Sequence, residues 1–98
     1  MADITIHQTR ERQHRVQLVD VREDNEVAQG RIPGARHIPL GQLGGRLAEL
    51  DRQQPVIVIC RSGNRSARAA ELLTAAGFRC DNMAGGMLAW QAAGLPTA

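Results

Sequence analysis

Aromatic side chains are almost missing from this 98-residue chain, which has one phenylalanine, one tryptophan and no tyrosine. Phe78 and Trp90 leave next to nothing for bases to stack on, which argues against a single-strand nucleic-acid binder. An excess of charge is missing too. Twelve basic and ten acidic side chains leave a formal charge of +2, too little for an electrostatic grip on nucleic acid. No long apolar run occurs, so no membrane partner is expected. The segment Met1-Ala2-Asp3-Ile4-Thr5-Ile6-His7 carries an acid where a secretion signal needs basic residues. The expected compartment is therefore the cytoplasm. Two cysteines cannot form a disulfide framework, and a reducing cytosol disfavours pairing them. His7, His14 and His37 have no ligand-like spacing with cysteines or acids, so neither a metal nor a cofactor is expected.

What remains is an ordinary globular composition, 43% hydrophobic and 22% charged, with room for one core. A single domain over residues 1–98 is expected, and without an evident apolar patch the default is a monomer. Val16 to Val21 and Ala35 to Pro39 read as strands, the second introduced by the turn Ile32-Pro33-Gly34. Between them Glu23 to Gln29 can form a short helix that stops at Gly30. Gly41 to Leu50 reads as another helix, with Leu43, Leu47 and Leu50 on one face and Gly44-Gly45 weakening it. Pro55 to Ile59 is apolar throughout, as a strand buried on both faces must be. From Ser66 to Ala76 the residues Ala69, Leu72, Leu73 and Ala76 fall at helical spacing, and Gly77 supplies the stop. A strand over Phe78 to Met83, a turn at Gly85-Gly86 and a helix over Met87 to Ala93 complete the chain. Strands alternating with helices over short links predict an α/β fold, a mainly parallel sheet with helices on both faces.

In such folds ligands sit at the carboxyl ends of strands. That end of the third predicted strand, Pro55 to Ile59, holds Cys60 and the loop Cys60-Arg61-Ser62-Gly63-Asn64-Arg65-Ser66. A helix N-terminus following the loop offers unpaired N–H donors and a partial positive charge, both of which favour a thiolate. Gly63 lets successive amides turn inward, and Arg61 and Arg65 add full charge. The pattern predicts an exposed thiolate of low pKa that can hold a charged adduct. Cys80 is expected at the start of a later parallel strand, on the order of 13 Å from Cys60 at ~3.3 Å per residue, beyond disulfide reach and buried as a small hydrophobe.

Several spaced motifs extend beyond this loop. They are Leu18-Val19-Asp20-Val21-Arg22, Gly30-Arg31-Ile32-Pro33-Gly34-Ala35 leading to Ile38-Pro39-Leu40, the loop Cys60 to Ser66, and Gly85-Gly86-Met87-Leu88-Ala89-Trp90 followed by Ala93-Gly94-Leu95-Pro96. In order and spacing the chain resembles the rhodanese-like family of sulfurtransferases from Leu18 onward. The resemblance implies a sheet of about five strands and a two-step transfer. Cys60 would take sulfane sulfur from thiosulfate or a related anionic donor as a persulfide, then yield it to cyanide or a thiol. Arg61, Ser62, Gly63, Asn64, Arg65 and Ser66 would bind the donor, the guanidinium groups gripping its oxygens.

Other residues fit a structural part better. Asp20 is expected to pair with Arg22, and Arg31 stands where the family commonly has His and reads as a solvated Arg. Trp90 is assigned to the core, Gly85 and Gly86 to a turn and close packing, and His37 to a surface or hydrogen-bonded position. Two other functions use the same loop. A phosphatase or arsenate reductase of related fold usually places Arg six positions after Cys, where this chain has Ser66 and Arg65 comes one position early. A sulfur carrier or interaction module would hand its persulfide to a docked sulfur-relay protein, and nothing in the residues separates it from a catalyst.

Overall fold

The strand Val56–Ile59 has neighbours on both edges and helices on both faces, which is why it tolerates no polar residue. In the computed structural model, which describes all 98 residues, it is the fourth of five strands. The elements run β1 (Asp3–Ile4), α1 (Ile6–Arg12), β2 (Gln17–Asp20), α2 (Asp24–Val27), β3 (Arg36–His37) and α3 (Leu40–Leu43), then β4 (Val56–Ile59), α4 (Asn64–Ala75), β5 (Cys80–Met83) and α5 (Gly86–Ala92). Every pairing is parallel, in the order β1-β5-β4-β2-β3. The expected α/β architecture with a five-stranded parallel sheet is therefore present.

Strand alternation divides the core in two. Val56 and Val58 of β4 face Leu43, Ala69, Leu73 and Phe78, on the side of α3 and α4. Ile57 and Ile59 face Ile32, Met83, Met87 and Trp90, on the side of α5. Trp90 is wholly buried and donates its indole N–H to the Pro96 carbonyl at 2.9 Å, so the polar tip of the ring is satisfied where the body is dry.

Several elements differ from the expectation, each for a local reason. β1 and α1 were not foreseen. β1 is two residues long and exists through its pairing with β5, and α1 is mostly polar. Its start is nonetheless written in Thr5-Ile6-His7-Gln8, where the Thr5 hydroxyl accepts from the Gln8 N–H at 3.0 Å and Gln8 Oε1 accepts from the Thr5 N–H at 2.8 Å, a capping box. The helix expected over Gly41 to Leu50 is broken at Gly44-Gly45 into α3 and a 3₁₀ turn at Leu47–Glu49, since two glycines remove the side chains that would hold a helix together. α4 begins at Asn64, ahead of the expected Ser66, which moves Arg65 and Ser66 from the loop into the helix's first turn. β5 begins at Cys80 instead of Phe78. Cys80 pairs with Val56, at the opposite end of β4 from Cys60, and the two cysteines are free and buried.

At the carboxyl end of β2, Asp20 and Arg22 form the expected pair. Arg22 Nε and Nη2 lie 2.9 and 2.8 Å from the two carboxylate oxygens, and the side chains are 5% and 2% exposed. Arg22 also donates to the carbonyls of Glu26 and Gly30, so a buried cation is satisfied on every side and ties α2 to the sheet. Its own carbonyl accepts from His37 Nε2 at 2.7 Å, which fixes the proton on that ring nitrogen. Arg31 is half-buried and donates to the Ala35 carbonyl at 3.2 Å, a tether in place of the solvated side chain expected. Asp20→Ala should cost about 3–5 kcal/mol, because it leaves a buried guanidinium without its counter-charge; urea unfolding measures it, and a loss below about 1 kcal/mol contradicts the account.

Candidate active site

Cys60 follows β4 directly, and alternation carries its side chain to the α4 face with Val56 and Val58. The chain then turns through Arg61-Ser62-Gly63. Gly63 adopts φ +103°, in the left-handed region where a side chain is strained, and a Cβ there would lie 3.4 Å from the Gly85 nitrogen; glycine fits on both counts. The turn brings the Gly63 N–H to 3.0 Å from Cys60 Sγ. One turn into α4, the Ser66 hydroxyl reaches the same sulfur at 3.2 Å. The sulfur thus meets the start of a 12-residue helix whose first amides have no intrahelical acceptor.

Two opposed effects set the proton affinity of this thiol. Burial pushes it up, while the Ser66 hydroxyl and the backbone N–H groups of Ser66, Gly63 and Ser62 pull it down, and the result lies below the ordinary cysteine value. The main-chain donors expected from the sequence are present. Exposure is not, since Cys60 is 1% exposed. The donors that stabilise a thiolate also enclose it. Cys80 behaves oppositely: burial and the nearby Asp81 push it up to about 12, so it stays a thiol.

The residues expected to bind a donor separate into three groups. Arg61, Ser62 and Asn64 are exposed. Gly63 and Ser66 are buried, with donors aimed at the sulfur. Arg65 turns away to α2, where Nη1 and Nη2 meet Glu26 Oε1 and Oε2 at 2.6 and 2.7 Å. This bidentate bond is the main reason the Glu26 carboxyl is held down at about 2, against partial burial and with help from the Glu23 N–H. Arg61 borders a cavity of about 240 Å³ together with Glu26, Gln29, Met87, Leu88 and Gln91. Two larger hollows, of about 410 and 440 Å³, lie at the amino ends of the strands, near Gln17 and near Cys80. The only cysteine there is the one that burial keeps protonated.

Two contributors escaped the sequence reading. Glu26 lies 39 residues from Arg65, and no spacing rule joins them. Asn82 on β5 accepts from the Ser66 hydroxyl through Oδ1 and donates through Nδ2 to the Gly63 carbonyl at 3.2 Å; a neutral polar residue inside a buried parallel strand was the available signal. α5 closes the loop from the far side. The N–H groups of Met87 and Leu88 donate to the carbonyls of Cys60 and Arg61 at 2.8 and 3.0 Å. Gly86, at φ +57°, allows that approach, since a Cβ would stand 2.5 Å from the Cys60 carbonyl oxygen.

The Glu26–Arg65 pair predicts an acid-sensitive step. A carboxyl near 2 when folded and at its ordinary 4.5 when unfolded contributes stability that is complete above about 4.5 and lost as pH falls toward 2. Glu26→Gln should flatten this part of a stability-against-pH curve, read by chemical denaturation at stepped pH. An unchanged slope contradicts it.

Comparison with known proteins places these features in context. The family model described as "Rhodanese-like domain" matches residues 5–93. YtwF of Bacillus subtilis (strain 168), which carries a provisional sulfurtransferase name, is 46% identical over 74 residues, 76% of this chain and 72% of that protein. A protein named sulfurtransferase from Allochromatium vinosum is 42% identical over 82 residues, 83% of this chain and 77% of its own. Among solved structures, a rhodanese-related protein from Thermoplasma volcanium superposes with a TM-score of 0.95 at 32% identity, covering 100% of this chain and 98% of its own.

Proposed function

This chain belongs to the rhodanese-like family, and from that premise we propose that it is a sulfurtransferase in which Cys60 carries sulfane sulfur. The observation that carries the reading is the convergence of the Gly63 N–H and the Ser66 hydroxyl on Cys60 Sγ. These donors favour the anion, and the thiolate is the attacking form. With thiosulfate as donor, the thiolate attacks the outer sulfur, the S–S bond of the donor breaks, and sulfite leaves with the bonding pair. The negative charge then resides on the outer sulfur of a Cys60 persulfide. Attack on that sulfur by cyanide or a thiolate returns the electron pair to Sγ, giving thiocyanate or a new persulfide and restoring the enzyme. Splitting one exchange into two displacements is what a covalent intermediate contributes.

In this reading Arg61, exposed at the rim of the cavity, meets the donor's oxygens with Ser62 and Asn64 beside it. Arg65 has a different part: bound to Glu26, it braces the loop. Residues 1–98 act in this reading as one rhodanese-like unit, a monomer in the thiol-reducing cytoplasm, without metal or cofactor. No helix is long and apolar enough to cross a membrane. A sulfur-relay protein in place of a small acceptor is the second reading. It uses the same persulfide and differs in how the acceptor arrives.

The phosphatase reading is weakened by one contact. Such enzymes grip the phosphoryl group with an arginine at the helix end of the loop, and the one arginine there, Arg65, is occupied by a bidentate carboxylate at 2.6 and 2.7 Å.

Purified protein given thiosulfate and cyanide should release sulfite and form thiocyanate, and Cys60→Ala should abolish both. Activity retained in the variant overturns the assignment, as would appreciable hydrolysis of an aryl phosphate. Intact-mass measurement after thiosulfate alone should show the gain of one sulfur atom on the wild type and none on Cys60→Ala. Turnover with a small acceptor separates a catalyst from a carrier that accepts sulfur and does not release it.

A further inference from the structure

The Ser66 hydroxyl has two acceptors and one proton. Its oxygen lies 3.2 Å from Cys60 Sγ and is also bonded to Asn82 Oδ1, yet a hydroxyl carries a single O–H. The orientation of the Asn82 amide is set from its other side. Nδ2 lies 3.0 Å from Asp3 Oδ1 and 3.2 Å from the Gly63 carbonyl, two groups that accept only. The nitrogen must face them, which leaves the amide oxygen facing Ser66.

While Cys60 is a thiol, every bond in this chain is made at once: S–H to Ser66 Oγ, Ser66 O–H to Asn82 Oδ1, and Asn82 N–H to Asp3 and Gly63. When the thiol proton has left to solvent, the sulfur anion draws the Ser66 O–H toward itself. Asn82 Oδ1 then loses its donor at a position 3% exposed, where an unpaired acceptor is costly. We propose that Asn82 is a positioning residue that sets the strength of the nucleophile by competing with Cys60 for the Ser66 hydroxyl. The proposal rests on the reading of Cys60 as the sulfur-carrying group and deepens it.

The competition suits a transfer cycle. In the persulfide the charge lies on the outer sulfur and Sγ is a poor acceptor, so the O–H returns to Asn82. When an acceptor attacks the outer sulfur, the S–S electron pair comes back to Sγ and the O–H swings to meet it. The hydroxyl follows the charge, and Asn82 holds it in the interval.

The charged groups around Cys60 are Arg61 next to it, Arg65 of α4 with Glu26 of α2 behind it, the Asp20–Arg22 pair of β2 with His37 of β3 on the Arg22 carbonyl, and Asp3 of β1 beyond Asn82. Arg65 is coupled to Cys60 through space. None of these groups hydrogen-bonds Ser66, whose side-chain partners are Cys60 and Asn82. A change at residue 82 that neither adds nor removes charge therefore reaches the sulfur through the Ser66 hydroxyl or through Gly63, and the Ser66→Ala background separates the two routes.

The experiment is the rate of iodoacetamide alkylation of Cys60 against pH, on the full chain, for wild type, Asn82→Leu, Asn82→Asp and Ser66→Ala, and for Asn82→Leu in the Ser66→Ala background. Asn82→Leu frees the hydroxyl for the sulfur and should lower the midpoint, raising the rate well below the wild-type midpoint by roughly tenfold, the worth of one hydrogen bond to a charged group. Asn82→Asp keeps an acceptor of stronger pull and should raise the midpoint. Both variants lose the amide bond to Gly63, and the aspartate also raises the midpoint by charge repulsion, so the discriminating comparison is Asn82→Leu with and without the Ser66 hydroxyl. Ser66→Ala should raise the midpoint and erase the effect of Asn82→Leu. A midpoint unchanged or raised in Asn82→Leu, or an equal fall without the hydroxyl, overturns the proposal. Should the Leu variant not fold, Asn82→Ala removes the same acceptor without adding charge, and a midpoint unchanged or raised there, or lowered equally without the Ser66 hydroxyl, overturns it alone. Sulfite release by the wild type is scored separately, so a failure of the sulfur-transfer reading is distinguished from a failure of this one.

Discussion

A sulfur atom buried at a strand's end would normally keep its proton, because a low-dielectric surrounding penalises charge. Here the same burial places it against the N–H of Gly63 and the hydroxyl of Ser66, and the hydrogen bonds outweigh the desolvation. Both contributions depend on one backbone feature, the left-handed turn at Gly63, which ends the extended chain and starts α4 within three residues of Cys60. Without that turn the thiol would be another small hydrophobe, as Cys80 is. The protein contains both cases, and they differ in local hydrogen bonding far more than in burial.

The loop holding this turn is fixed on three sides by parts of the chain remote in sequence. Glu26 grips Arg65 from α2, the start of α5 donates two N–H groups to the carbonyls of Cys60 and Arg61, and Asn82 of β5 holds Gly63 and Ser66 from beneath. Each contact is satisfied before any substrate arrives. Such preorganisation removes the reorganisation cost that a flexible loop would meet when charge appears on sulfur.

How far this was legible in the sequence follows from the range of the interactions concerned. β4 was readable because an unbroken apolar run bounded by Pro55 and a polar loop has few other uses, and the Asp20–Arg22 pair was readable because its members are two residues apart. The loop from Cys60 to Ser66 could be read because its donors are local backbone. Arg65 was not, since its direction is decided by a carboxylate on a different element. Ser66 was placed among substrate contacts because its membership of the first helical turn, and with it its aim at the sulfur, depended on a helix start two residues earlier than the apolar spacing indicated. β1 is two residues long and defined by its neighbour, so no periodicity could announce it.

The bonds from α5 to the loop have a further consequence. Met87 and Leu88 are bound to the backbone of Cys60 and Arg61, and three residues after Met87 the same short helix carries Trp90, the one indole in the chain. Any displacement of the Cys60 loop would pass through these two bonds and one helical turn to a fully buried indole. The protein thereby carries its own optical gauge, set in the dry core on the opposite face of the sheet from Cys60.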